Sequence, residues 1–119
     1  MSLIETPELF LIERFLDLAT ARQTLLASNI ANVDTPGYRT QDIDFHAELA
    51  RALEEDPDQP VLPMARNVRG LVERPDGNNV SVDRDGLLLA ELQLKYQSAT
   101  QALKAEFTIL RDAIEERAA

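Results

Sequence analysis

Apolar and small residues recur at Leu9, Ile12, Leu16, Ala19, Leu26, Ile30 and Val33, with Gln23 as the one interruption. Steps alternating between three and four residues are the heptad seam of an amphipathic helix. A second stripe, Leu11, Phe15, Leu18 and Leu25, runs beside the first, so this helix needs cover on more than one side. Thr6 suits the N-cap, Pro7 the first helical position, and Glu8 puts negative charge where the macrodipole favours it. The spacing predicts a helix from Thr6 to Asn32, roughly 40 Å long at about 1.5 Å per residue. A second stripe pattern near the other end runs Leu89, Leu92, Tyr96, Ala99, Leu103, Phe107, Leu110 and Ile114. Its mean step is close to the α-helical period and predicts a helix from Asp83 to Glu116, capped by Asp83, with Asp85 in its first turn. Gly86 weakens that turn, costing about 1 kcal/mol relative to Ala.

Between these helices lies a segment of different character. Residues 33–82 hold five of the six prolines and three of the four glycines, with the acidic run Glu54-Glu55-Asp56-Pro57-Asp58. A short helix from Phe45 to Leu53 and an extended piece around Asn67 to Glu73 are the only regular elements expected there. The fold class is therefore mainly α. Two long amphipathic helices pair as a coiled-coil-like hairpin across an irregular middle with short extended pieces. The chain divides into residues 1–33, 34–82 and 83–119. A lone hairpin leaves the second stripe of the first helix wet, so the pattern calls for partners.

Composition narrows the function classes. Net charge is −9, with no basic stripe to neutralise phosphates or an anionic bilayer, so nucleic acid and membrane surfaces are poor partners. No Cys is present, which removes disulfides, thiolate metal sites and a cysteine nucleophile. Met1-Ser2-Leu3-Ile4-Glu5 lacks a basic n-region and the next apolar run is too short for a signal sequence. Export, if it occurs, is expected without a cleaved signal of that kind. His46, the one histidine, stands among Asp42, Asp44 and Glu48. A single imidazole on a flexible acidic segment lacks the fixed surroundings a metal or acid–base site needs. Those carboxylates are expected to form a solvated face or to meet arginines of a neighbouring subunit. Asn79-Val80-Ser81 matches a glycosylation sequon, a common tripeptide. Phosphate-binding glycine loops, Ser/His/Asp sets and paired-histidine metal motifs do not occur, so no catalytic residue, metal or cofactor is expected.

The informative stretch is Ser28 to Tyr38. Asn32 is placed to cap the helix C-terminus in the left-handed conformation that Asn tolerates. Pro36 and Gly37 have the chemistry of the two central positions of a type II turn running from Thr35 to Tyr38. Asn29 and Asn32 share a helix face from which their amides can bond the returning loop, and Tyr38 can lay its ring against the helix. Residues Asp76-Gly77-Asn78-Asn79-Val80 read as a turn before the second helix.

The string Asn29-Ile30-Ala31-Asn32, followed by Thr35-Pro36-Gly37-Tyr38, resembles the N-terminal signature of flagellar rod and hook axial proteins. The continuation Arg39 to Phe45 is similar to the proximal-rod, FlgB-type branch. A second block, Asp76 to Asp83, with Leu94-Lys95-Tyr96-Gln97 downstream, resembles the same branch. The resemblance covers roughly residues 9–45 and 76–110, and Gly86 departs from it where Met is expected. It implies a non-enzymatic structural subunit of the proximal rod, exported by the flagellar type III apparatus. Partners would be further copies and other rod and basal-body proteins in the periplasm. It also implies that the Asp76–Asp83 block sets the second helix against the Asn29–Tyr38 turn. Another rod subunit, or a cytoplasmic helical adaptor binding a partner coiled coil, are the alternatives.

Overall fold

The computed structural model describes residues 6–118; the reading of Met1–Glu5 as lacking a signal sequence lies outside the described residues. In chain order the elements are α1 (Pro7–Ala31), β1 (Gln41–Asp42), α2 (Phe45–Glu54), β2 (Arg66–Asn67) and α3 (Val82–Ala118). The molecule is a slender rod with extents of 70 × 25 × 18 Å.

Helix α1 starts as its sequence dictates. Thr6 Oγ1 accepts from the Leu9 amide at 3.1 Å, and Pro7 stands at the first position, where a missing N–H costs nothing. At the far end Asn32 is the C-cap, but at φ −102° and ψ 19° it is not left-handed as expected. Its side chain supplies a different cap, Nδ2 donating to the Ser28 carbonyl at 2.8 Å. With that carbonyl satisfied, the positive φ can wait until Gly37. Helix α3 is capped by Ser81 rather than Asp83: the Arg84 amide donates to Ser81 Oγ at 3.2 Å and the helix already includes Val82. Asp83 then serves as first-turn negative charge. Gly86 does not interrupt α3.

Helices α1 and α3 run antiparallel. Ala19, Leu26 and Leu92 form one buried cluster, with Phe15, Leu88, Leu89 and Tyr96 against it. The second stripe of α1 is not left wet. Leu18, fully buried, packs with Ile43 and Ala52, and Leu25, Phe45, Leu49 and Val61 close over this second cluster. The correction has a simple source. The ten-residue α2, capped by Asp44 Oδ1 accepting from the Ala47 amide, folds its apolar face back on α1. Phe45 meets Phe15 edge-on at 5.2 Å between centroids, a favoured aromatic geometry. Of that stripe, Leu11 remains exposed.

The middle segment is more ordered than its composition suggests. Strand β2 pairs antiparallel with β1, Gln41 opposite Asn67 and Asp42 opposite Arg66, and the Val68 amide extends the ladder to the Thr40 carbonyl at 2.9 Å. The extended piece expected over Asn67–Glu73 is thus a two-residue strand one residue earlier, and β1 was not anticipated. Arg14, buried on α1, donates to the carbonyls of Asp56 at 2.6 Å and Gln59 at 2.8 Å and lies over Phe10. One guanidinium therefore ties the acidic run to the first helix.

Candidate functional site

The densest polar construction lies where α1 ends and α3 begins. Thr35–Tyr38 forms the expected type II turn: the Tyr38 amide donates to the Thr35 carbonyl at 3.2 Å and Gly37 has φ +75°. A Cβ at Gly37 would meet nothing within 4 Å, so conformation alone, and not space, calls for glycine there. Gly77, at φ +87°, sits with its Cβ position 3.4 Å from Gly37 Cα. The two turns lie back to back, joined by the Gly37 amide donating to the Asp76 carbonyl at 2.9 Å.

Asn29, fully buried, behaves as a piece of backbone. Its Nδ2 donates to the Gln41 carbonyl at 2.8 Å and its Oδ1 accepts from the Gln41 amide at 3.1 Å. Tyr38 Oη donates to the same Oδ1 at 3.2 Å, so the ring does return to its helix. Asn32 bonds within the turn, its Oδ1 accepting from Thr35 Oγ1 at 3.0 Å. Asn78, also fully buried, donates from Nδ2 to the carbonyls of Asn32 and Thr35, each at 2.9 Å, and accepts from the Val80 amide at 2.8 Å. Asn79 Oδ1 accepts from the Thr40 amide at 2.7 Å, and the Asn79 amide donates to the Tyr38 carbonyl. Buried polar groups are costly unless paired; here three asparagines pair the backbone groups of two chain segments. The Asp76–Val80 block, which the sequence reads as a turn, is also the strap that binds the start of α3 to the end of α1. The Asn79 side chain of the sequon is buried and bonded, and so is closed to modification in this fold.

Beside this corner lies a charge network that the sequence did not reveal. Arg22 donates to both oxygens of Asp42, at 2.9 and 3.0 Å, and Arg84 donates to Asp42 Oδ2 at 2.9 Å. Arg84 also reaches Asp85 Oδ1 at 2.6 Å. The chain Arg22–Asp42–Arg84–Asp85 links α1, β1 and α3. Burial works to raise the Asp42 pKa. The Arg22 guanidinium, the Ile43 amide and Arg84 outweigh it, and the carboxyl is held below its ordinary value. Asp42 is thus satisfied within its own chain and is not the solvated residue expected. Asp44 caps α2 and pairs with Arg66, and Glu48 pairs with Arg51. His46 is exposed on α2, and among the described residues no group of three or more ligating side chains is placed to hold a metal ion.

The packing stripes divide along the molecule. Leu9, Leu26 and Leu92 are buried, while Ile12, Leu16, Ile30, Leu89, Tyr96, Leu103 and Leu110 are half-buried. Phe107 and Ile114 are exposed, at 46% and 58%. The apolar pattern of α3 thus continues past the part that the chain itself covers. The residues that sequence reasoning missed are Arg14, Arg22, Thr40 and Arg84. Each finds partners tens of positions away in the chain, and no periodicity marks such a contact.

A family model described as "Flagella basal body rod protein" matches residues 16–39, from the middle of α1 through the type II turn. The chain is 33% identical to the flagellar basal body rod protein FlgB of Escherichia coli (strain K12), over 76% of this chain and 80% of that protein. The FlgB of Salmonella typhimurium is 37% identical, over 76% and 80%. That of Borrelia hermsii is 31% identical, over 76% and 82%. By these relatives, with the bonded turn inside the matched stretch, the chain belongs to the FlgB family of flagellar basal body rod proteins.

Proposed function

We propose that this chain is a structural, non-enzymatic subunit of the proximal rod, held to its neighbours by helix packing. The observation that carries the reading is the open apolar stripe on the outer half of α3, where Phe107 and Ile114 stand exposed beyond the two buried clusters that the chain builds for itself. A subunit that completes its core only against neighbours fits a repeating assembly better than a free monomer. Within the segments 1–33 and 83–119, α1 and α3 serve as the axial helices. Residues 34–82 form a shaped flank that the Thr35–Tyr38 turn and the asparagine corner hold at a fixed angle to α1.

Its partners are further copies and other rod and basal-body proteins, in the periplasm, reached through the flagellar type III export apparatus. No described helix is long and apolar enough to cross a membrane. Deleting the gene and imaging basal bodies tests the reading. Rods absent or truncated are expected; intact rods with normal swimming would sink it. Gly37→Val gives a finer test, since a β-branched residue at positive φ costs about 1–2 kcal/mol. Normal expression with failed incorporation is expected, and normal incorporation would refute the role given to the turn.

A further inference from the structure

The chain carries two oppositely charged features that cannot reach each other. One is the acidic run after α2. Arg14 takes the backbone carbonyls of Asp56 and Gln59, which fixes the loop, and Glu55 pairs with Arg51 of the same chain. Glu54 and Asp58 are exposed and form no ion pair among the described residues. The other is a groove of about 300 Å³ beside β2, lined by Arg39, Asn79 and the stretch from Asn67 to Leu71 that includes Arg69, with Glu73 as its one carboxylate. Arg39 meets Glu73 at 3.5 Å, whereas Arg69 is exposed and pairs with no carboxylate among the described residues. A second groove, lined by Arg22, His46 and Lys95, also has more base than acid, but its arginine is already bound to Asp42.

Their placement is what gives the pair meaning. The acidic loop is gripped near the start of α1, at Arg14, while the groove adjoins the end of α1, where Arg74 donates to the Val33 carbonyl. At about 1.5 Å per residue, the helix from Arg14 to Ala31 sets them roughly 26 Å apart. That is far beyond the reach of any side chain. We infer that the Arg39–Arg69 groove receives the Glu54–Asp58 loop of a second copy of this chain. The contact is head-to-tail between different surfaces, so each copy offers a groove and a loop to further copies, and the contact repeats through an assembly such as a rod. Arginine suits the position because its fork takes carboxylates in fixed geometry. Exposed charge pairs contribute little affinity. The contact therefore sets which copies adjoin and with what stagger, and the apolar stripes supply adhesion.

The inference rests on the rod reading, and a charge exchange separates the two. In cells making only the variant chain, Arg69→Glu alone, and Glu54→Lys with Asp58→Lys, are each expected to lower the amount of chain in purified basal bodies at least ten-fold. Combining all three substitutions in one chain is expected to restore it to at least half. Circular dichroism of each purified variant checks that helix content is kept. Gln59→Cys and Val72→Cys, in separate co-expressed copies of this cysteine-free chain, should give a cross-linked dimer in basal bodies with a short thiol reagent. Reversed variants that incorporate normally, a triple variant that is folded yet not restored, or incorporated cysteine variants that cross-link only to another protein would overturn the contact and leave the rod reading standing. Absence of the wild-type chain from basal bodies would overturn both.

Discussion

Asn78 shows how much one side chain decides here. It has no exposed surface and satisfies the carbonyls of Asn32 and Thr35 and the amide of Val80. Replacing it with Ala leaves the buried Val80 amide without a partner, at about 1–3 kcal/mol, and takes one donor from each of the Asn32 and Thr35 carbonyls, which keep the amides of Thr35 and Tyr38. Asn78→Ala is therefore expected to lower the unfolding free energy by about 2–4 kcal/mol, measured by urea denaturation of the purified chain. A loss below about 0.5 kcal/mol would show that the corner does not hold the two helices together. Asp42 makes a second residue-scale prediction, in pH. Its folded pKa is depressed below the ordinary carboxylate value. The stability it contributes is therefore present above its unfolded pKa, about 3.9, and lost as pH falls through the lower folded value. Asp42→Asn should be less stable than the parent at neutral pH and should show a shallower fall in melting temperature from about pH 4.5 to about pH 2.5. Equal slopes in the two proteins would remove Asp42 from the acid response. Of these two residues the sequence identified one in part: Asn78 stood in a visible turn block, but nothing local marked its burial. From sequence Asp42 belongs to a solvated face or a contact with a neighbour's arginines, because the arginines of its own chain that neutralise it lie 20 and 42 positions away.

Among the elements, α3 is the one whose sequence and structure pull apart. Gly86 lies inside the helix with open space where its Cβ would be. Gly86→Ala removes backbone entropy from the unfolded chain without a clash, and should stabilise by about 0.5–1 kcal/mol, read as a higher urea midpoint at unchanged m-value. An unchanged or lower midpoint would mean that the glycine is needed for close packing. Helix α2 teaches the opposite lesson. Its ten residues were expected nearly where they lie, yet their consequence was not foreseen: they cover the Leu18 stripe of α1. Periodicity gives the element, while the loop geometry that aims it depends on Arg14 and on the β1–β2 pair, neither of which has a sequence signature.

Over the whole molecule, order is distributed unevenly. The two buried clusters and the asparagine corner occupy the end where the helices join, and α3, about 55 Å long at its 37 residues, carries exposed apolar side chains toward its far end. Amide hydrogen exchange on the isolated chain should be slow around Leu26, Asn29 and Leu92 and fast beyond Phe107, because local opening there uncovers little apolar surface. Incorporation into a rod should slow exchange beyond Phe107. Equal protection along all of α3 in the free chain would contradict this gradient. The sequence by itself determined the two long helices and the type II turn. Those features rest on local rules: helical period, capping and the φ values allowed to Pro and Gly. The tertiary structure alone decided that Asn29, Asn78 and Asn79 are buried connectors, that Asp42 is clamped by Arg22 and Arg84, and that α2 closes the second face of α1. Such pairings depend on groups far apart in the chain meeting at hydrogen-bond distance. A single directional bond leaves no period in the sequence, whereas an apolar stripe, repeated every turn, does.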